Sequence, residues 1–118
     1  MDERQKFYDA IQREILDLAT EDRYGLWEIV GSIEQDHPEL TSEEALSTAK
    51  EMVGSMLRAG LLGMEREHPS EHYVELEDQE ALEISAKDHS WEIPKTGGRD
   101  PLYWVYATDA GRRAYHRK

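Results

Sequence analysis

Leu102-Tyr103-Trp104-Val105-Tyr106-Ala107, followed without a break by Thr108-Asp109-Ala110-Gly111-Arg112-Arg113-Ala114-Tyr115, is an aromatic run that turns at a hydroxyl residue directly into a helical pattern. The first six residues alternate Tyr103 and Val105 against Trp104 and Tyr106. They read as a strand with large side chains on both faces. Thr108 suits a helix N-cap, Asp109 suits the positive end of the helix dipole, and Ala110, Ala114 and Tyr115 form the inward side. Arg112, Arg113, Arg117 and Lys118 are left for the negative end.

Working back from that strand, three helices are predicted. The first runs from about Asp2 to Ala19, with Phe7, Ile11, Ile15 and Leu18 as one apolar stripe. The second runs from about Tyr24 to Gln35, with Leu26, Ile29, Val30 and Ile33 on one side and Trp27 at the margin, and His37-Pro38 ends it. The third opens at Thr41 with Glu44 three residues on, a capping box, and carries Ala45, Leu46, Ala49, Met52, Val53, Met56 and Leu57 inward. Gly60 serves as its left-handed C-cap, and Leu61-Leu62-Gly63-Met64 leads out as a strand. Between residues 65 and 101 the pattern is weaker. Tyr73-Val74-Glu75-Leu76 alternates as a strand, and Asp78 caps a short helix through Glu80, Ala81, Leu82 and Ile84. A hairpin between Leu82-Glu83-Ile84 and Val74-Leu76 is the competing reading. The 118 residues are read as a single α+β domain, 1–118, with 65–101 as a long insertion.

Met56-Leu57-Arg58-Ala59-Gly60-Leu61-Leu62 and Tyr106-Ala107-Thr108-Asp109-Ala110-Gly111-Arg112, set after three helices, resemble the winged helix-turn-helix superfamily and in particular small bacterial regulators of the MarR and PadR kind. The resemblance covers roughly residues 24–64 and 102–115. It implies a small antiparallel sheet whose wing, here residues 65–101, returns through the aromatic strand into a short C-terminal helix. It also implies a third helix that enters the DNA major groove, with its first residues facing the bases.

The charge runs against that use. The chain has 26 acidic and 14 basic side chains, a formal net charge of -12. Residues 1–60 hold 14 acidic and 6 basic groups, residues 61–98 hold 10 and 3, and only residues 99–118 are net basic, with 2 and 5. Helix three begins Thr41-Ser42-Glu43-Glu44, and its first cation is Lys50, so carboxylates would meet phosphates. Phosphate contacts supply most non-specific affinity for duplex, and neither the third helix nor the insertion offers a basic run. The expected partner is therefore a basic protein, steered by the acidic surface and bound through Trp27, Glu43, Glu44, Glu75, Glu77 and Trp91. The alternative is a DNA-binding transcriptional regulator that acts as a dimer through the N-terminal helix and uses Lys50, Arg58, Arg66, Arg99, Arg112 and Arg113 as nucleic-acid contacts. The apolar stripe of the first helix offers two uses, covering the domain's own core or building a homodimer.

Other chemistry is not expected. With no cysteine there is neither a disulfide nor thiolate chemistry, and a reducing cytoplasm is the expected compartment. No apolar run approaches the roughly 18 residues of a membrane span, and the N-terminal residues lack the apolar centre of a signal peptide. His68-Pro69-Ser70-Glu71-His72, with Glu65 and Glu67 upstream, has ligand-type side chains but no helical i, i+4 geometry, so no metal site is predicted. There is no nucleophile elbow, phosphate loop or HExxH pattern. Adjacent carboxylates such as Glu43 and Glu44 are expected by chance in a chain this acidic, so neither an enzyme nor a cofactor is expected.

Overall fold

Asp2 caps the first helix by accepting the Gln5 N–H at 2.7 Å, and α1 then runs over Glu3–Glu21 with Ile11, Ile15, Leu16 and Ala19 buried. The structure, a computed structural model, describes residues 2–68, 72–95, 98 and 100–117. Behind α1 comes β1, only Tyr24–Gly25, which leads straight into α2, Leu26–Asp36. Gly25 is the N-cap of α2, and its N–H donates to the Glu28 carboxylate at 2.9 Å. The predicted second helix began at Tyr24. Those first two residues are a strand instead, because their backbone pairs antiparallel with Trp104 and Val105, far along the chain.

The capping box of α3, Ser42–Arg58, forms in both directions. Glu44 N–H donates to Thr41 Oγ1 at 3.1 Å, and Thr41 N–H donates to Glu44 Oε1 at 2.9 Å. At the other end Gly60 takes φ 75°, its N–H reaches the Leu57 carbonyl, and the Leu61 N–H reaches that of Met56. That pair of bonds satisfies two orphan carbonyls and reverses the chain into β2, Leu62–Glu67.

The insertion is ordered into β3 (Tyr73–Glu75), α4 (Asp78–Ser85) and a 3₁₀ turn (Asp88–Trp91). The helix reading of residues 78–85 therefore holds over the hairpin. Its N-cap is Glu77, which makes no side-chain cap bond, and Asp78 is the first helical residue. The return strand β4, Leu102–Ala107, leads into α5, Asp109–His116. Among the described residues there are thus five α-helices and one open four-stranded antiparallel sheet, in the order β1-β4-β2-β3.

Alternation along the strands sends Leu62 and Met64 of β2 and Val105 and Ala107 of β4 to one side, where all four are buried. The helices cover that side, and a single buried cluster runs from Ile11 through Ile29, Val53 and Met56 to Val105. Each large aliphatic side chain buried there contributes about 2 kcal/mol relative to exposure. The insertion belongs to the same core, since α4 packs on α3 and Ala81, Ile84 and Trp91 join the cluster. The stripe of α1 packs here too. Ile11 and Ile15 are buried in this core, while Phe7, Tyr8 and Leu18 are half-buried. No helix among the described residues is long and apolar enough to cross a membrane.

Candidate partner-binding face

The opposite side of the sheet carries a row of aromatic and acidic residues. The register places Gly63 beside Tyr106, Glu65 beside Trp104 and Glu67 beside Leu102, with Glu75 and Tyr73 continuing the rows on β3. Since side chains alternate, the residues of these rows share the face turned away from the core. Trp104 is at its centre. The Trp27 ring meets it edge to face at 5.1 Å between centroids, Tyr73 meets it at 6.3 Å, and its Nε1–H donates to Glu67 Oε1 at 3.0 Å. Two glycines make room for this row: a β-carbon on Gly25 would overlap the Trp27 ring, and one on Gly63 would overlap the Tyr106 ring. The face is acidic as well as aromatic. Glu65 lies directly across from Glu75, an unfavourable like-charge pair, and Arg23 offsets it by lying 3.5 Å from Glu65 while its guanidinium stacks 3.8 Å from the Tyr73 ring centroid.

At one end the face opens into a cleft of about 370 Å³ between the start of α2, the beginning of β4 and the segment that precedes it. Trp27, Ile93, Pro94, Leu102 and Tyr103 form its apolar walls, and Glu67, Glu92 and Asp100 bring carboxylates to it. His89 sits between two of these, with Nδ1 at 2.9 Å from Glu92 and Nε2 at 3.9 Å from Asp100. Ile93 is 78 % exposed, an aliphatic wall facing solvent. Partial burial pushes the Tyr103 phenol above its ordinary value, and the nearby Arg66 charge acts in the opposite sense.

No protein-family model, curated protein or solved structure matches the chain.

The residues expected to bind a partner fall in different places. Trp27 and Glu75 belong to the aromatic face. Glu43 and Glu44 lie exposed on the first turn of α3, and the Glu44 carboxylate is engaged in the capping box. Glu77 is exposed where α4 begins. Trp91 is a correction. It is 3 % exposed, and its Nε1–H donates to the Ser85 carbonyl at 2.9 Å, so it is an anchor of the insertion onto the core and offers no surface to a partner. Its position after a polar stretch suggested exposure, but the turn at Asp88–Trp91 folds it back beneath α4.

The cations of the DNA reading are dispersed. Lys50 on α3 is paired with Asp88 of the 3₁₀ turn, and Arg66 on β2 is held at 3.2 Å from Glu80 of α4. Arg112 donates to the Thr20 carbonyl at 3.2 Å, while Arg58 and Arg113 are exposed on separate helices. Arg99 lies outside the described residues, as do Pro69, Ser70 and Glu71 of the histidine loop. Among the described residues no three metal-ligating side chains converge.

Sequence reading missed Trp104, Tyr73, Glu65 and Glu67 as one surface. The alternation of β4 was visible, but which of its two large faces the helices cover depends on contacts distant in sequence.

Proposed function

We propose that the chain is a non-catalytic interaction module of winged-helix-like architecture that binds a basic protein partner. The architectural part is supported by three helices followed by an antiparallel hairpin whose return strand runs through Thr108 into a closing helix, the arrangement the sequence resemblance implies. One observation carries the functional part. Lys50 and Arg66, the cations on the helix and strand that a nucleic-acid-binding relative would press against phosphates, are each paired with a carboxylate of the insertion. Exposed on the same α3 are Glu43, Glu44 and Glu51. Such a surface repels a phosphate backbone and attracts cationic polypeptide, raising its encounter rate at low salt. A nucleic-acid-binding protein or a basic nuclease has the required charge, and a reducing cytoplasm suits a chain without cysteine.

The test is binding at about 50 mM salt, where electrostatic contacts are least screened. Fluorescence anisotropy with an arginine- and lysine-rich peptide is expected to show saturable binding that weakens as salt rises, and labelled duplex DNA is expected to give none. Duplex binding with a steep salt slope would instead establish the DNA-binding regulator, and silence from the basic peptide would end the present reading.

A further inference from the structure

We infer that the cleft beside Trp27 seats an arginine side chain of a basic polypeptide, and that this contact anchors the partner on the aromatic face. The inference rests on the reading of the chain as a module for a basic protein and adds where that protein is gripped, and by what chemistry.

The cleft joins the two features an arginine needs. Its walls are rings and aliphatic groups, Trp27, Tyr103, Leu102 and Ile93, against which a three-methylene stem can lie. Its carboxylates, Glu67, Glu92 and Asp100, suit the head of the side chain, whereas Lys95 is the only lysine or arginine among its described lining residues. One Glu67 oxygen receives the Trp104 indole N–H, so this carboxylate is fixed in orientation. Its second oxygen makes no hydrogen bond among the described residues. At about 370 Å³ the space falls at the low end of the roughly 300 to 1,000 Å³ common for binding pockets, a size for one long side chain and not for a helix face.

Arginine fits better than lysine because a planar guanidinium stacks on a ring while donating in its own plane to carboxylates. The molecule already uses that arrangement on itself. Arg23 lies 3.8 Å from the Tyr73 ring centroid with Glu65 beside it, and Arg13 lies 4.4 Å from that of Tyr115. Among the described residues no cation is stacked on Trp27, and tryptophan offers the strongest face for one. A guanidinium from outside would complete on Trp27 what Arg23 completes on Tyr73.

The experiment uses the full chain and two twelve-residue peptides of equal charge, one carrying arginine and one lysine as its only basic residue. Amide and indole shifts are followed by NMR, and affinities are measured for the wild type, for Asp100→Asn with Glu92→Gln, and for Glu34→Gln with Asp36→Asn, both exposed on α2. The second pair removes the same charge from exposed helix positions away from the cleft. The arginine peptide is expected to shift the Trp27 indole and the Tyr103 and Ile93 amides. The cleft pair should weaken its binding about tenfold and the helix pair less than about threefold, with the lysine peptide weaker than the arginine peptide on the wild type. Equal losses from the two pairs, equal affinity for the two peptides, or shifts confined to α3 would overturn the cleft as the arginine seat while leaving a basic partner in place. Failure of both peptides to bind the wild type would remove both readings.

Discussion

A β-carbon added to Gly111 would overlap the carbonyl oxygen of Leu61. The backbone of α5 is therefore pressed onto the turn by which the chain leaves α3, and two bonds hold it there: Thr108 N–H donates to that same Leu61 carbonyl at 3.0 Å, and Thr108 Oγ1–H to the Gly60 carbonyl at 2.6 Å. Thr108 Oγ1 also accepts the Gly111 N–H at 3.1 Å, closing the helix cap. The Thr-x-x-Gly spacing thus does two jobs, ending β4 and tying it to the exit of α3.

Replacing Gly111 by alanine should cost about 3 kcal/mol, since the obstacle is backbone and cannot swing aside as a flexible side chain would. Gly31 is the contrast. It lies exposed in α2 where a β-carbon meets nothing, so Gly31→Ala should stabilise by roughly 0.5 to 1 kcal/mol through helix propensity alone. Urea midpoints of the two variants should move in opposite directions. A Gly111→Ala protein that unfolds with the wild type would mean that α5 does not sit against Leu61.

Trp91 is expected to be a stability residue. Trp91→Ala should lose about 3 to 5 kcal/mol by emptying a large core site. Trp91→Phe keeps most of the apolar volume but leaves the Ser85 carbonyl without its indole donor, a loss of about 1 to 3 kcal/mol. Binding of a basic peptide, corrected for the folded fraction, should be unaltered by Trp91→Phe. A selective loss of binding with stability intact would return Trp91 to the surface.

These two sites mark how far the sequence could be read. Features fixed by neighbours in the chain were legible: the Thr41–Glu44 box, the glycine reversal at Gly60 and the apolar stripe of α3 each depend on residues within one or two helical turns. Features fixed by distant pairing were not. The two residues of β1 form a strand only because β4 lies beside them, and the capture of Lys50 by Asp88 joins residues 38 positions apart. Of the candidate site, Trp27 and Glu75 were legible as an edge residue and an acidic strand residue. That Trp104, Tyr73 and Glu67 surround them follows from the strand order, on which local alternation carries no information.

The pairing of Lys50 with Asp88 should matter more for charge presentation than for stability. Asp88 is largely exposed, and exposed ion pairs are worth about 0 to 1 kcal/mol. A double-mutant cycle with Lys50→Met and Asp88→Asn should give a coupling inside that range that shrinks further as salt is raised. A coupling several times larger and insensitive to salt would show the pair to be shielded from solvent and part of what holds the insertion on α3.

Tyr103 sets an alkaline limit. Burial, the largest influence, raises its phenol above the ordinary 10.0, with Glu80 and Asp100 acting in the same sense and Arg66 against them. A raised value means that the folded protein holds this proton more tightly than the unfolded chain does. The associated stability is therefore fully present below the ordinary value and is lost as pH climbs through the folded one. Between about pH 8 and about pH 10.5 the wild type should lose more of its unfolding free energy than Tyr103→Phe, which has no proton to release there. The Tyr115 phenol, raised chiefly by its bond to Asp17, contributes in the same direction in both proteins and so drops out of the difference. Urea unfolding of each protein at the two pH values measures it, and parallel losses would mean that water reaches the Tyr103 hydroxyl as freely in the folded state as in the unfolded chain.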